Sequence, residues 1–519
     1  MYCNVCTGAL MGIYAYLVQA EVDVSTGLPG FEMVGYLAGE VKEAKERVKV
    51  ALKNVGIDLP PMRITVNLSP ADKRKDGTGF DLPIAVGVLG ALKKIPMKHC
   101  QGTLFVGELG LNGEIKGVKG ILPIVQKAKE EGLQKCIIPT ENAMEGGVVQ
   151  GIKVVGVNHI STLIRYLNAS PKEQDEVILP TSLFPEQILK EQLVNQEKVD
   201  FEDILGQFAV KRGAEISAAG FHNMLILGPP GTGKTMIGKR MPSILPPMTL
   251  TESLEVSNIY SVQGLLGPSK ALIATRPFVK PHHTISYQAL VGGGRVPKPG
   301  AVSLAHRGVL FLDEFSEFPK PILDVLRQPL EEKKVTLSRA YGSFTYPADF
   351  ILVAAMNPCP CGYYPDVNRC TCTESVVRRY LSRISGPILD RIDLSVEAPA
   401  IPLDLLSKMS KGENSEQIRA RVMKARKMQE HRFEGTFYQF NSQIAPKDMK
   451  RYCTLRPEEE TLLAKLLQQQ GASARTYHRV LKVARTIADL EGKEQITKGH
   501  ILEALSFRMG EEKYWRGMV

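Results

Sequence analysis

Long apolar runs are missing from this 519-residue sequence. The longest near the N-terminus, Leu82 to Leu92, is too short to cross a bilayer, so no membrane partner is expected. A basic leader is missing too. The first residues, "MYCNVCTGALMGIYAYLV", lack a basic start and soon meet acidic residues, which argues against a secretory signal. Cysteine is sparse. Nine residues form no obvious disulfide framework, and a reducing cytoplasm is the simplest compartment. Tandem repeats and long low-complexity segments are also absent.

What is present is an ordinary globular mixture, 44% hydrophobic and 23% charged. The length exceeds one ordinary core, so two or three domains are expected. The formal net charge of +10 is a mild bias toward anionic partners, one that many enzymes share. Residues 1–165 mix short β-rich runs with helices. "MRITVNL" and "KCIIP" read as strands, and "EAKERVKVALKNVG" as an amphipathic helix ending at Gly56. Residues 166–200 lose that regularity around Pro171, Pro180 and Pro185 and read as a linker. Residues 201–400 are α/β: "MLILG", "GVLFLDE" and "FILVAAMN" look like buried parallel strands with helices between them. Residues 401–519 contain no strand pattern and predict a small helical domain.

"MLILGPPGTGKT" has the spacing of a phosphate-binding loop: a strand, a glycine-rich turn, then Lys and Thr opening a helix. In Gly228, Pro229, Pro230, Gly231, Thr232 and Gly233 the turn lets backbone N–H groups approach the phosphates. Lys234 would reach the β and γ phosphates of ATP, and the Thr235 hydroxyl would hold Mg²⁺. Asp313, at the end of a second apolar strand, is suited to the Mg²⁺ water shell. Glu314 beside it is the candidate general base that polarises the attacking water. Asn357 ends a third strand and would position the water or the γ-phosphate.

Two stretches lie outside this minimal set. From Arg276 to Gly300 the chain has four basic residues and no acidic one, with Gly292, Gly293 and Gly294 before Arg295 and Lys298. A flexible basic loop suits contact with a phosphate backbone, which needs charge more than fixed geometry; a solvated loop that touches nothing is the plainer reading. "KKVTLSRAYGSFTYPADF" alternates on both sides of a turn near Tyr341 and Gly342, predicting a β-hairpin made basic by Lys333, Lys334 and Arg339. "NPCPCGYYPDVNRCTC" places Cys359, Cys361, Cys370 and Cys372 in two C-x-C pairs. Zinc favours four thiolates, so a closed structural zinc site is expected; free thiols, an iron–sulfur cluster and disulfides are the alternatives. Cys3 and Cys6 form a lone C-x-x-C and read as structural.

Together the three nucleotide motifs resemble the AAA+ ATPases. That resemblance implies a site between subunits of a ring, with an arginine finger from the neighbour. In "RISGPILDRIDL", Arg391 is similar to the finger of the replicative MCM helicases, and Arg383 is the second candidate; pairing of Arg391 with Asp390 or Asp393 is the structural alternative. Arg475, in the first turn of a helix that Ser473 can cap, resembles the lid arginine that contacts the γ-phosphate, with Arg479 a weaker candidate. The two basic stretches look like the helix-2 insert and presensor hairpin of the magnesium-chelatase and MCM branch, which implies that Arg295, Lys298 and Arg339 contact DNA in a central pore.

"VNLSPADKRKDGTGFDLPIAVGVL" and the stretch from Leu104 to Pro139 resemble the proteolytic domain of Lon proteases. Lon uses a Ser–Lys dyad, but the serine-equivalent position here is Gly79 and the lysine-equivalent position is about Leu122. Ser69 and Lys119 lie nearby without matching the pattern. Without a hydroxyl and its base there is no activated nucleophile. The whole order resembles the YifB/ComM family of magnesium-chelatase-like ATPases along almost the full chain. "NLSPAD", "GFDLPIA", "FLDE", "AAMNP", "SGPILDRIDL" and "SARTYHRVLKVARTIADL" carry that match. It implies a Lon-like α+β domain, an AAA+ core with a parallel sheet and a helical lid. It also implies a homo-oligomer, a hexameric ring, with helicase and branch-migration activity on single-stranded or branched DNA in recombination or natural transformation. The competing classes are a chelatase-type subunit driving metal insertion through partner proteins, an ATP-dependent protease, which Gly79 and Leu122 disfavour, and an ATPase switch with protein clients.

Overall fold

The computed structural model of the protein describes residues 1–194, 199–267, 270–339, 342–402, 404, 412–469 and 473–515. Two sheets organise them. The front sheet has seven strands in the order Gly30–Val34, Arg63–Ser69, Tyr14–Ser25, Tyr2–Met11, Thr103–Phe105, Lys135–Pro139, Lys153–Val157. Its first two strands in the chain form a long antiparallel hairpin, from Tyr2 opposite Asp23 to Met11 opposite Tyr14. Side chains alternate across a strand, so Tyr16, Val18, Ala20, Val22 and Val24 all enter the core. The same alternation puts Cys3 and Cys6 on opposite faces of their strand, and they cannot share a ligand.

The expected strands "MRITVNL" and "KCIIP" are Arg63–Ser69 and Lys135–Pro139, and the amphipathic helix is Ala44–Asn54. The apolar run Leu82–Leu92 forms most of the helix Asp81–Ala91, every residue of which is buried. A helix apolar on all sides has to be a core helix. Its one charge, Asp81, is held by Arg47 through bonds of 2.7 and 2.8 Å. No helix among the described residues is long and apolar enough to cross a membrane.

Residues 166–200 carry more regular structure than their prolines suggest. The helix Ile160–Asn168 ends there, and short helices follow at Gln174–Val177 and Pro185–Val194. Pro185 opens its helix, where a missing N–H leaves no bond unmade. Between them Thr181 pairs with Val154 and Leu183 N–H donates to Gly147, so this stretch is anchored to the front sheet.

The second sheet has five strands, all parallel, in the order Phe278–Val279, Val309–Leu312, Ile351–Met356, Met224–Leu227, Leu394–Glu397. The helices Ser415–Arg432, Ala474–Leu490 and Lys498–Ser506 pack with the helix Phe208–Gly220 into one core with a face of this sheet. Buried Asp489 ties the helices together by accepting from Arg432, Arg485 and Asn441.

Front and central regions meet at a buried carboxylate. Glu145 accepts from Leu122 N–H at 3.0 Å, from Asn142, and from the hydroxyl of Ser261 on the helix Leu250–Gln263. Beside it Gly120 N–H donates to the Ser261 carbonyl at 3.1 Å. Removing Glu145 would strand a buried N–H and a buried hydroxyl. Glu145→Ala is expected to lower stability by about 1–3 kcal/mol and to raise protease cleavage between the two regions. Denaturant melts and limited proteolysis indistinguishable from wild type would show that the joint does not depend on this carboxylate.

Candidate functional site

In an open parallel sheet the chain leaves every strand at the same edge, and ligands gather there. Here that edge collects the nucleotide motifs. The strand Met224–Leu227 lies beside Ile351–Met356, which lies beside Val309–Leu312. Gly228, Asn357 and Asp313 are therefore the first residues beyond three successive strands. The turn after Leu227 passes through Gly231 and Gly233 at φ +80° and +82°, backbone angles that disfavour any side chain. It then opens the helix Lys234–Ile244. Thr232 Oγ1 closes the turn on the Pro229 carbonyl at 3.0 Å.

The Lys234 ammonium donates to the carbonyls of Gly228 and Pro229 at 2.7 Å each and to Asn357 Oδ1 at 3.1 Å. Burial pulls its pKa down to about 8, against the raising effect of Asp313. An ammonium desolvated in this way is stabilised by an arriving phosphate. Thr235 Oγ1 donates to Asp313 Oδ2 at 2.7 Å, so a hydroxyl and a carboxylate oxygen converge at the helix start. Hard oxygens in this arrangement fit Mg²⁺, and the donors of the turn and Lys234 fit a triphosphate. Mg²⁺ bound there would neutralise phosphate charge. Burial raises the Asp313 carboxyl, but bonds from Lys280 and Thr235 outweigh it and leave it below the usual carboxylate range.

Lys280 was expected among basic residues of a flexible insert. It instead lies 2.7 Å from Asp313. The reason is the short edge strand Phe278–Val279, parallel to Val309–Leu310, which delivers the next residue to the same sheet edge. Arg276 is likewise withdrawn, donating to the Pro246 and Arg307 carbonyls and pairing with Glu252 at 3.0 Å. His283 is a second residue the motifs did not mark: its Nδ1 lies 3.2 Å from Glu314 Oε2. Glu314 has φ +52°, unusual for a residue with a side chain. Its carboxylate is 62% exposed, so water can reach it, as a general base requires. Gln207, also unmarked, donates to Thr232 and Pro399 carbonyls at 3.2 and 2.8 Å and ties the phosphate loop to the end of the neighbouring strand.

The arginines lie away from this cluster. Arg391 pairs with Glu331, not with Asp390 or Asp393, and its side chain is 12% exposed. Arg383 pairs with Glu317 at 2.9 Å. Arg475 lies 3.5 Å from Asp390 and is 71% exposed, in a helix whose start Ser473 caps. Arg479 is buried on the carbonyls of Leu389 and Ile392 and on Asp390, which makes it part of the packing.

The two inserts meet. The second forms the antiparallel hairpin Lys334–Arg339 with Gly342–Pro347; its tip, residues 340 and 341, lies outside the described residues. Tyr346 donates to the Pro297 carbonyl at 2.7 Å, and the Arg339 guanidinium lies beside Gly293, which pairs with Lys298. Arg295 and Lys298 are exposed and form no ion pair among the described residues. The four cysteines are also brought together, with all sulfurs within 4.8 Å of one another.

A phosphate-binding turn, a carboxylate pair and a polar strand end on one parallel sheet define the class: an AAA+ ATPase. The family model for magnesium chelatase, subunit ChlI, matches residues 200–406, and the model for its C-terminal part matches 412–508. A model described as subunit ChlI of Mg-chelatase matches 20–142. The chain is 44% identical over 508 residues to competence protein ComM of Haemophilus influenzae, covering 96% of each. It is 42% identical over 509 residues to YifB of Salmonella typhimurium, covering 97% of this chain and 96% of the relative. Its front part is similar to Lon protease 2 of Bacillus subtilis, 26% identical over 180 residues, covering 33% of this chain and 32% of the relative. The chain belongs to the ComM/YifB family of magnesium-chelatase-like ATPases. It is an ATPase of ATP and Mg²⁺ with a Lon-like front domain.

Two substitutions separate the roles at the sheet edge. Lys234→Ala is expected to abolish nucleotide binding or turnover. Glu314→Gln keeps Asp313 and the phosphate loop, so ATP should stay bound while hydrolysis falls by about 10²-fold or more. Equal hydrolysis by wild type and Glu314→Gln would remove Glu314 as the base.

Proposed function

We propose that this ATPase is a ring motor that moves along single-stranded or branched DNA, a helicase or branch-migration factor of recombination or natural transformation. The observation that carries this reading is the meeting of the two basic inserts. Arg295 and Lys298 from one stretch and Arg339 from the other lie around one small ladder, and all three are exposed with no acidic partner among the described residues. Phosphate contacts need clustered charge more than a fixed pocket. The relative named as a competence protein supports the same direction. The magnesium-chelatase descriptions of the family models favour a second reading, a subunit that drives metal insertion through partner proteins.

ATPase rates with and without DNA distinguish them. DNA stimulation supports the motor; indifference to every DNA form at low salt, with activity appearing only with partner subunits and porphyrin, supports the second reading. Arg295→Glu with Lys298→Glu turns attraction into repulsion. DNA affinity should fall by about tenfold or more at every sequence, with the salt slope reduced by about 2. The nucleotide affinity of the variant controls for folding.

In the ring, Arg391 would serve the ATP site of the next copy, exchanging Glu331 for the γ-phosphate. Arg391→Ala and Lys234→Ala subunits, each inactive alone, should then regain part of the activity when mixed, because some interfaces keep both groups. Mixed rings that assemble and stay inactive would place the finger elsewhere.

A further inference from the structure

The loop that follows Asn357 adds nothing to phosphate chemistry, yet it lies against the phosphate loop. Cys359 is fully buried, and its sulfur is 3.3 Å from that of Cys361 and 3.8 Å from that of Cys370. Cys361 and Cys370 are 3.5 Å apart, and Cys372 completes a group whose sulfurs all lie within 4.8 Å. Four sulfurs held tetrahedrally around zinc at about 2.3 Å stand roughly 3.8 Å from one another. A disulfide needs its sulfurs at about 2.0 Å, and all four residues are free thiols. The N–H groups of Gly362 and Tyr364 point at Cys359 Sγ from 3.2 and 3.3 Å. Backbone donors around a sulfur stabilise the thiolate that a metal requires and fix its orientation.

The same loop is a wedge. Gly362 has φ +89° and sits so close to the phosphate loop that an added Cβ would lie 2.5 Å from Pro230 Cδ. On the other side the Tyr364 ring is 6.1 Å from Tyr514, near the end of the chain. The Trp515 indole N–H donates to the Leu381 carbonyl at 3.2 Å, and Lys513 pairs at 2.8 Å with Glu397, in the strand next to that of the phosphate loop. A loop broken by Pro358, Pro360, Gly362 and Pro365 has no ladder or helix to hold it in this gap.

We propose that Cys359, Cys361, Cys370 and Cys372 form a structural zinc site that clamps Gly362 against Pro230 and so holds the phosphate loop in its nucleotide-binding shape. The four thiols lose their protons to solvent as the metal binds, and no redox change is involved. The inference needs the ATP site alone and stands whether the motor acts on DNA or through partner proteins.

The test uses the full-length protein, prepared with zinc present and then dialysed. Elemental analysis should find about one zinc per chain, lost in Cys359→Ser with Cys372→Ser. A zinc-selective chelator applied to wild type should weaken binding of a fluorescent ADP by about tenfold, and zinc added back should restore it. This arm does not depend on the folding of a cysteine variant. Gly362→Ala should keep the zinc, since all four thiols remain, yet weaken ADP binding, because the added methyl meets Pro230. A folded wild type without zinc, or one holding iron and sulfide, overturns the site. Zinc whose removal leaves ADP affinity unchanged overturns the clamp.

Discussion

The parallel register of three strands is the constraint on which the ATP site depends. Leu227 stands opposite Met356, and Leu312 opposite Ala354, so two strands end level and the third ends two residues short of them at the same edge. That geometry brings two bonded pairs from distant parts of the sequence to one edge, Lys234 with Asn357 and Thr235 with Asp313. A slip of one residue would turn the strand-end side chains to the opposite face. The strands are wholly apolar because both faces are covered: helices of the C-terminal region lie on one side and the insert-bearing cluster on the other. The apolar packing is therefore what keeps the polar edge aligned.

The same edge accounts for the behaviour of Lys280. Its strand is only two residues long, yet that is enough to deliver an ammonium to the Asp313 carboxylate. Lys280 and an Mg²⁺ ion seek the same negative charge. A cation held by Thr235 and Asp313 would compete with Lys280 for that carboxylate, and the insert that carries Lys280 runs on to Arg295 and Lys298. One stretch of chain thus joins the Asp313 carboxylate, through Lys280, to the exposed Arg295 and Lys298. His283, three residues beyond Lys280 and in contact with Glu314, lies on that stretch.

The phosphate loop, the carboxylate pair and the core strands were legible because each has a local pattern: a glycine spacing, an apolar run, an acidic strand end. Lys280 was legible as a charge but not as a site residue, since a two-residue strand leaves no periodicity to read. Arg391 shows a different limit. Its partner Glu331 comes from a helix sixty positions earlier, whereas Asp390 and Asp393 are adjacent in sequence. Asp390 is taken by Arg475 and Arg479, and Asp393 by His222 and Asn223 N–H, which leaves Arg391 to Glu331. Competition among partners is a tertiary property. In residues 166–200 the prolines read as breaks, although one of them begins a helix.

In the Lon-like front domain, the positions that the resemblance matches to the Lon serine and lysine are packed. A Cβ on Gly79 would meet Val106 Cγ1 at 3.2 Å, so the place of the serine faces an apolar wall. Leu122 is fully buried, and its N–H is bonded to Glu145. Lys119 packs against Gly264 at the end of the helix Leu250–Gln263. The segment that the resemblance matches to the Lon lysine is thus the segment that meets the ATPase region, through Gly120, Leu122, Glu145 and Ser261. At this joint Leu122 supplies apolar packing and a backbone N–H, and the Glu145 carboxylate takes that N–H together with the Ser261 hydroxyl.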